Sequence, residues 1–142
     1  MDKSTLVLAA LAPARGKFHT PVQLQKLLFL IDKNVGEAVE GPHFDFQPYD
    51  YGPFDKEVYT TVNELAKQEL VQAAETGRGW KKFALTANGQ KSGDDALANL
   101  DGPVRAYVEE LSEFVLSLSF PQLVSAIYKA YPDMRANSVF KE

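Results

Sequence analysis

The chain has no cysteine and only two histidines among its 142 residues. The lack of cysteine excludes disulfides, thiolate zinc sites and a cysteine nucleophile. His19 and His43 fall in separate predicted loops, and neither has a carboxylate at the helical spacing of a metal motif. We therefore expect two solvent-exposed loop histidines and no metal site.

Long apolar runs are also missing. No stretch is long enough to cross a bilayer, so we expect no membrane partner. The apolar run from Leu6 to Ala12 is short, and Asp2 and Lys3 give it a poorly charged flank for a signal peptide. It is better interpreted as the first helix of a globular domain, which favours a cytoplasmic protein.

Motifs that carry catalysis are scarce as well. No Gly-x-Ser-x-Gly turn is present to expose a serine nucleophile. Gly77-x-Gly79 lacks the lysine and the helix start of a phosphate-binding loop, so it is better interpreted as a turn. The sequence predicts a protein that is not an enzyme, with no catalytic residues and no cofactor. A hydrolase or nuclease with an unrecognised site would need an activity that depends on a metal and on His19 or His43.

What the sequence does contain is apolar: 45% of the residues are hydrophobic and 11% are aromatic. This composition argues against disorder and suffices for the core of a single domain spanning residues 1–142. The first predicted helix covers Ser4 to Ala12. The second begins at Thr20-Pro21-Val22-Gln23, which combines a capping box with proline at the first helical position. Gly36 is expected to end it.

An aromatic stretch follows the second helix. The alternation in Phe44–Pro48 predicts a short, irregular strand. The Gly52-Pro53 pair predicts the start of a third helix, because proline fits the first helical turn. Apolar spacing from Phe54 through Val58, Val62 and Leu65 carries this helix to near Glu69.

The second half of the chain predicts a hairpin and two further helices. Leu70–Ala73 and Trp80–Thr86, joined by a glycine-containing loop, are typical of a β-hairpin, and Thr86 is a candidate helix cap. Three helices followed by such a hairpin predict a winged helix-turn-helix-like core over residues 4–91. Residues 92–102 could form a helical turn or a linker. A helical pair over 101–132 and a tail over 133–142 complete a mainly α fold with a small β-hairpin.

Three motifs together resemble a known family. They are Leu24-Gln25-Lys26-Leu27-Leu28-Phe29, Tyr49-x-Tyr51-Gly52-Pro53-Phe54 and Tyr128-x-x-Tyr131-Pro132. Over roughly residues 20–140 the pattern resembles the Panacea domain (SocA-like, phage-associated GepA-type) and the related YwgA-like small bacterial proteins. Tyr51 and Phe54 depart from the Panacea pattern and bring the chain closer to the YwgA-like branch. The resemblance implies a helical, winged-helix-related domain that binds a partner protein, as an antitoxin for a toxin or as an adaptor in phage defence.

Two hypotheses for function follow from the residues. The first is a protein-interaction module whose exposed aromatic residues contact a partner; the candidates are Tyr49, Tyr51, Phe54 and Tyr59. The second is a DNA-binding regulator that uses a basic wing; the candidates are Arg78, Trp80, Lys81, Lys82 and Lys91. The net charge of −4 and the acidic third helix favour the first hypothesis. The identity of the partner stays open, and the C-terminal helical pair is compatible with a homodimer.

Overall fold

The computed structural model describes residues 1–141, which form six α-helices and two small antiparallel sheets. This confirms a mainly α fold with a small β-hairpin. No helix within these residues is long and apolar enough to cross a membrane. The helices and strands are, in chain order, α1 Lys3–Leu11, α2 Pro21–Val35, β1 Gln47–Tyr49, β2 Gly52–Phe54, α3 Lys56–Lys67, β3 Val71–Glu75, β4 Lys81–Leu85, α4 Ala87–Ala98, α5 Gly102–Ser117 and α6 Phe120–Ala130.

The helix starts follow the capping residues of the sequence. Thr20 accepts a hydrogen bond from the backbone N–H of Gln23, whose side chain accepts one from the N–H of Thr20, so the predicted capping box is present. Ser119 and Gln122 form the same arrangement at the start of α6. Thr86 accepts from the N–H of Gly89 and starts α4. These caps satisfy backbone donors that have no partner within the helix.

The predicted start of α3 at Pro53 is wrong. Gly52 and Pro53 belong to β2, which pairs with β1 so that Pro48 lies opposite Pro53. Helix α3 starts three residues later, where the Asp55 side chain accepts a hydrogen bond from the N–H of Glu57. Phe54 consequently lies in a strand and not on the apolar face of α3. The Gly-Pro pair is compatible with a helix start and with a tight hairpin, and cross-strand pairing decides between them here.

Two further boundaries concern Gly36 and residues 92–102. Helix α2 ends at Val35 with Gly36 as its C-cap, as predicted, and the chain continues through a short turn to Glu40, whose φ is 63°. The N–H of Gly41 then donates to the carbonyl of Gly36, the bond expected where a left-handed residue closes a helix end. Residues 92–98 form the second half of α4, so the helical alternative holds for them and the linker alternative does not. Gly93 lets α4 approach α1, since a Cβ there would lie 2.6 Å from the Leu8 carbonyl oxygen.

Helix α2 lies at the centre of the fold, as its apolar circumference predicts. Eight consecutive residues from Leu24 to Ile31 are buried. The helix packs against α5, α6 and β2, while α1 packs against α4. Because residues 24–31 of α2 are buried, Gln25 and Lys26 are enclosed with their apolar neighbours.

The predicted wing hairpin is present as β3–β4, which pair with Val71 opposite Leu85 and Glu75 opposite Lys81. His19, just before α2, extends this sheet by one bridge: its N–H donates to the Phe83 carbonyl, and the Phe83 N–H donates back. The elements follow one another in the order α1, the His19 bridge, α2, α3 and the hairpin. This order agrees with the winged-helix expectation, which stays a prediction.

Candidate functional site: an aromatic groove over a buried lysine

Four exposed aromatic side chains line one continuous surface. Tyr49 lies at the end of β1, Tyr51 in the following turn, Trp80 just before β4 and Phe120 at the start of α6. They line two adjoining cavities that share Val22 and Tyr51. The outer groove, about 630 Å³, is lined by Thr20, Pro21, Val22, Tyr51, Arg78, Trp80 and Phe120. The inner pocket, about 210 Å³, is lined by Val22, Gln25, Lys26, Tyr49, Asp50, Tyr51, Phe54 and Tyr59. Together they form what we call the aromatic groove.

Ring contacts hold the walls of the aromatic groove. On the inner side, Tyr49 stacks on Phe54 with ring centroids 5.0 Å apart, and Phe54 meets Tyr59 edge to face at 5.6 Å. On the outer side, Tyr51 meets Phe120 edge to face at 5.2 Å. Such pairs add to the stability gained from burial alone, so the walls are ordered without a partner present.

The C-terminal tail fixes the turn that carries Tyr51. The Asn137 side chain donates to the Pro48 carbonyl at 3.1 Å, and the Val139 N–H donates to the Asp50 carbonyl at 2.9 Å. Phe140 packs against the Phe120 ring at 5.9 Å. Residues 137–140 of the predicted tail therefore pack on the domain and support the aromatic groove.

Lys26 contributes a buried ammonium group to the inner pocket. Lys26 is only 3% exposed. Nζ donates one hydrogen bond, to the Pro53 carbonyl at 3.4 Å, which is longer than the usual range for such bonds. None of the ion pairs among residues 1–141 involves Lys26. Burial lowers the pKa of Lys26 to about 8, so the group is still mostly charged near neutral pH.

Gly52 permits the hairpin to lie close to this lysine. Its φ of +104° is unfavourable for residues with a side chain. A Cβ at this position would lie 3.3 Å from a ring carbon of Tyr128 and 3.6 Å from Lys26 Nζ. The inner pocket thus depends on glycine at the point where β2 passes over α2.

Hydrogen bonds tie the neighbouring residues of the inner pocket to the backbone. The Gln25 side chain donates to the Asp55 carbonyl and accepts from the Asp55 N–H, both at 3.0 Å. Burial raises the pKa of Tyr59, an effect that a hydrogen bond with Gln25 opposes in part. Tyr59 therefore stays a neutral phenol, which can donate a hydrogen bond.

The residues predicted for the basic wing have different surroundings. Lys81 Nζ lies 3.8 Å from Glu75 Oε1, and Lys82 Nζ lies 4.5 Å from the centre of the Phe18 ring. Lys91 is exposed on α4 and lines neither part of the aromatic groove. Arg78 and Trp80 instead line the outer groove beside Tyr51, which belongs to the other predicted set.

Both histidines differ from the expectation of exposed loop residues. His19 is 0% exposed, and neither ring nitrogen has a hydrogen-bond partner within residues 1–141. Its backbone pairing with Phe83 draws it into the core. Burial lowers the pKa of His19 to about 4. His43 is half-buried, with Nε2 2.6 Å from the Val39 carbonyl oxygen.

Sequence reasoning missed Lys26 and Phe120 as site residues. The sequence held a partial signal for Lys26, since apolar residues cover more than half of the circumference of the helix that carries it. Phe120 was assigned only to the start of α6. Its neighbour Tyr51 is distant in sequence, so no local pattern could place the two rings together.

The three motifs that resemble the Panacea and YwgA-like proteins meet at one point of the structure. Lys26 of the first motif and Tyr128 of the third both lie against Gly52 of the second. Comparison of the chain with protein-family models and with curated proteins gave no match. The resemblance therefore rests on these motifs and stays a prediction.

Proposed function

We propose that the chain is a non-enzymatic protein-interaction module, acting in the cytoplasm, whose aromatic groove binds a short apolar and acidic segment of a partner protein. The observation that carries the proposal is the convergence of Tyr49, Tyr51, Trp80 and Phe120, from separate parts of the chain, on two adjoining cavities. Aromatic residues and arginine are enriched at protein interfaces, where a few of them supply most of the binding energy.

The size and order of the aromatic groove support this proposal. At about 630 Å³ the outer groove can take one or two side chains of a partner. In the outer groove the Phe120 ring contacts Tyr51 and Phe140. In the inner pocket Tyr49 stacks on Phe54, so binding orders few additional side chains. A surface that is ordered before binding loses less entropy on association.

The resemblance to Panacea-type proteins extends the proposal to the partner. It implies that the bound protein is a toxin and that the module neutralises it by occlusion, as an antitoxin or as an adaptor in phage defence. Such a mechanism requires a shaped surface and no reaction at that surface. This agrees with a site built from aromatic rings and one buried cation.

The alternative proposal is a winged-helix DNA-binding regulator with contacts from Arg78, Trp80, Lys81, Lys82 and Lys91. Two observations weigh against it. The Glu75 carboxylate lies 3.8 Å from Lys81 Nζ and offsets part of its positive potential, and Lys82 Nζ lies over the Phe18 ring. The exposed surface of α3 carries Glu64 beside Lys67, with Glu69 just beyond the helix end, which reduces its attraction for phosphates.

The proposal is tested by immobilising the chain and capturing proteins that bind to it from a lysate of the native host, with and without nuclease treatment. Trp80→Ala and Tyr49→Ala remove groove side chains. Phe114→Ala is the matched control, because Phe114 is 43% exposed on α5 and lines neither part of the groove. We expect a stoichiometric protein that survives nuclease, is lost with the two groove variants and is retained by Phe114→Ala.

The DNA alternative predicts a different pattern. The captured material would then disappear with nuclease, and binding would fall steeply with salt and with Lys81→Glu or Lys82→Glu. That result would overturn the proposed module. Loss of the captured protein with Phe114→Ala as well as with the groove variants would also contradict a groove-specific interaction.

A further inference from the structure

We propose that the inner pocket receives the carboxylate of an Asp or Glu side chain of the partner segment, which forms an ion pair with Lys26 Nζ. An apolar or aromatic side chain next to that acidic residue would then lie in the outer groove. This inference rests on the proposed function and specifies the chemistry of the segment that the aromatic groove recognises.

Charge is the first argument. An ammonium group has three N–H donors, and Lys26 Nζ makes one long hydrogen bond to the Pro53 carbonyl. Among residues 1–141 no carboxylate lies within ion-pair distance of it. Asp50 lines the same pocket, but it is exposed and makes no ion pair with Lys26. The lysine therefore presents an uncompensated positive charge to the pocket, for which a carboxylate is the complementary group.

Pocket size is the second argument. The inner pocket, at about 210 Å³, is smaller than the roughly 300 Å³ at which sites for whole small molecules begin. One side chain fits this volume. Tyr49, Tyr51 and Tyr59 line the pocket, and each phenol can donate a hydrogen bond to a carboxylate oxygen.

Lys26 also does not serve packing well. A buried charge without a partner destabilises the folded state, and an apolar side chain of similar length would fill the same space without that penalty. Lys26→Met should therefore raise stability whether or not the pocket binds a ligand. If the charge serves binding, the same change should also weaken binding of the partner segment, which a purely structural role does not predict.

A selection from a displayed library of random peptides, each about twelve residues long, tests the inference and does not require the partner to be identified. The baits are the full chain, Lys26→Met, Trp80→Ala and the matched control Lys33→Met, since Lys33 is an exposed lysine on the same helix. We expect the unaltered chain and Lys33→Met to enrich peptides with an acidic residue close to an aromatic one. Lys26→Met should keep the aromatic preference and lose the acidic one.

A synthetic peptide from the selection then gives the quantitative test. Replacing its acidic residue by the amide (Glu→Gln or Asp→Asn) should weaken binding to the unaltered chain by about tenfold or more, as for other buried charge pairs. The same replacement should change binding to Lys26→Met by less than about threefold, because the partner charge is already absent. The peptide-side change does not depend on how the Lys26 variant folds.

The outcomes separate this inference from the proposed function. Aromatic peptides without an acidic preference, or an equal effect of the amide on both chains, would overturn the Lys26 ion pair and leave the module standing. Failure to select any peptide whose binding depends on Trp80 would overturn both. Tighter binding of a single-stranded oligonucleotide than of any peptide, lost with Lys26→Met, would reassign the pocket to a phosphate and also overturn the inference.

Discussion

Two buried bases, His19 and Lys26, illustrate opposite solutions to the same physical problem. His19 is fully enclosed, and its pKa of about 4 leaves the ring neutral near pH 7, so no charge is buried. Lys26 is 3% exposed, but its pKa of about 8 leaves it mostly protonated under the same conditions. The histidine avoids the cost of desolvation by losing its proton, whereas the lysine retains a charge beside a pocket. A retained charge needs an explanation, and a binding partner supplies one.

The largest effect that sharpens this comparison is expected for Lys26→Met. Burial lowers the pKa of Lys26 from 10.5 to about 8. A shift of this size corresponds to a penalty of about 3 kcal/mol for the charged lysine in the folded state. Because unfolded lysine keeps its proton up to the higher pKa, the penalty is fully present below pH 8 and is relieved as the pH rises toward 10.5. Lys26→Met should therefore raise the free energy of unfolding near neutral pH by about 3 kcal/mol, measured by urea denaturation. Lys33→Met should leave it unchanged, and a destabilised Lys26→Met would contradict the account.

The second prediction concerns His19 and acid. The unfolded histidine takes up a proton near pH 6.5, whereas the folded one does so only near pH 4. The unfolded state thus binds more protons in this window, and stability falls as the pH drops from 6.5 toward 4. At about pH 4.5 the histidine should account for roughly 2 to 3 kcal/mol of that loss. His19→Leu should lack this component.

The measurement for His19 is the difference in the free energy of unfolding between the two proteins at neutral and at acid pH. Titration of the carboxylates is common to both proteins and cancels in this difference. Stability curves that run parallel across the pH range would show that His19 titrates normally and is not enclosed.

Gly52→Ala tests the close approach of β2 to Lys26. The positive φ and the contact with Tyr128 should together destabilise the fold by about 1 to 2 kcal/mol. Gly16→Ala is the matched control, because Gly16 has a φ of +87° but no atom within 4 Å of its Cβ position. Thermal unfolding of both variants separates backbone strain from crowding. Equal losses in the two variants would show that the hairpin tolerates a side chain above the pocket.

The smallest effect is expected for Lys81→Gln on the wing. Lys81 and Glu75 are both largely exposed, and their separation of 3.8 Å is long for an ion pair. Exposed pairs of this kind contribute about 0 to 1 kcal/mol, so we expect a change below about 0.5 kcal/mol in urea denaturation. If Lys81→Gln lowered the free energy of unfolding by as much as Lys26→Met raises it, the expected difference between surface and buried lysines would be contradicted.

Local sequence signals predicted those parts of the fold that are determined locally. The capping box at Thr20, the cap at Thr86 and the wing hairpin follow from residue types a few positions apart. The β1–β2 hairpin was missed because Gly52-Pro53 also fits the start of a helix. The contact that defines the hairpin, Pro48 opposite Pro53, is a pairing between strands that the local motif does not reveal. His19 appeared exposed because only its bridge to Phe83 buries it.

The candidate site shows the same division. Tyr49 and Tyr51 were predicted for one function and Arg78 and Trp80 for another, on the basis of residue type alone. Folding brings Tyr51, Arg78 and Trp80 to the same outer groove. Residues that were predicted for two different functions therefore line one surface. The burial of Lys26 became evident only from the structure, because the enclosure of residues 24–31 of α2 depends on distant elements.

The most direct test is to measure the pKa of Lys26 by NMR in protein with ¹³C-labelled lysine. The pKa is measured once in the free protein and once after saturation with a selected acidic peptide. Lys26→Met identifies the resonance, and the other titratable groups lining the pocket are Asp50, Tyr49, Tyr51 and Tyr59. The account predicts a pKa of about 8 in the free protein and a clear rise on binding, since a nearby carboxylate favours the charged form. An ordinary lysine pKa in the free protein, or a value that peptide binding leaves unchanged, would contradict it.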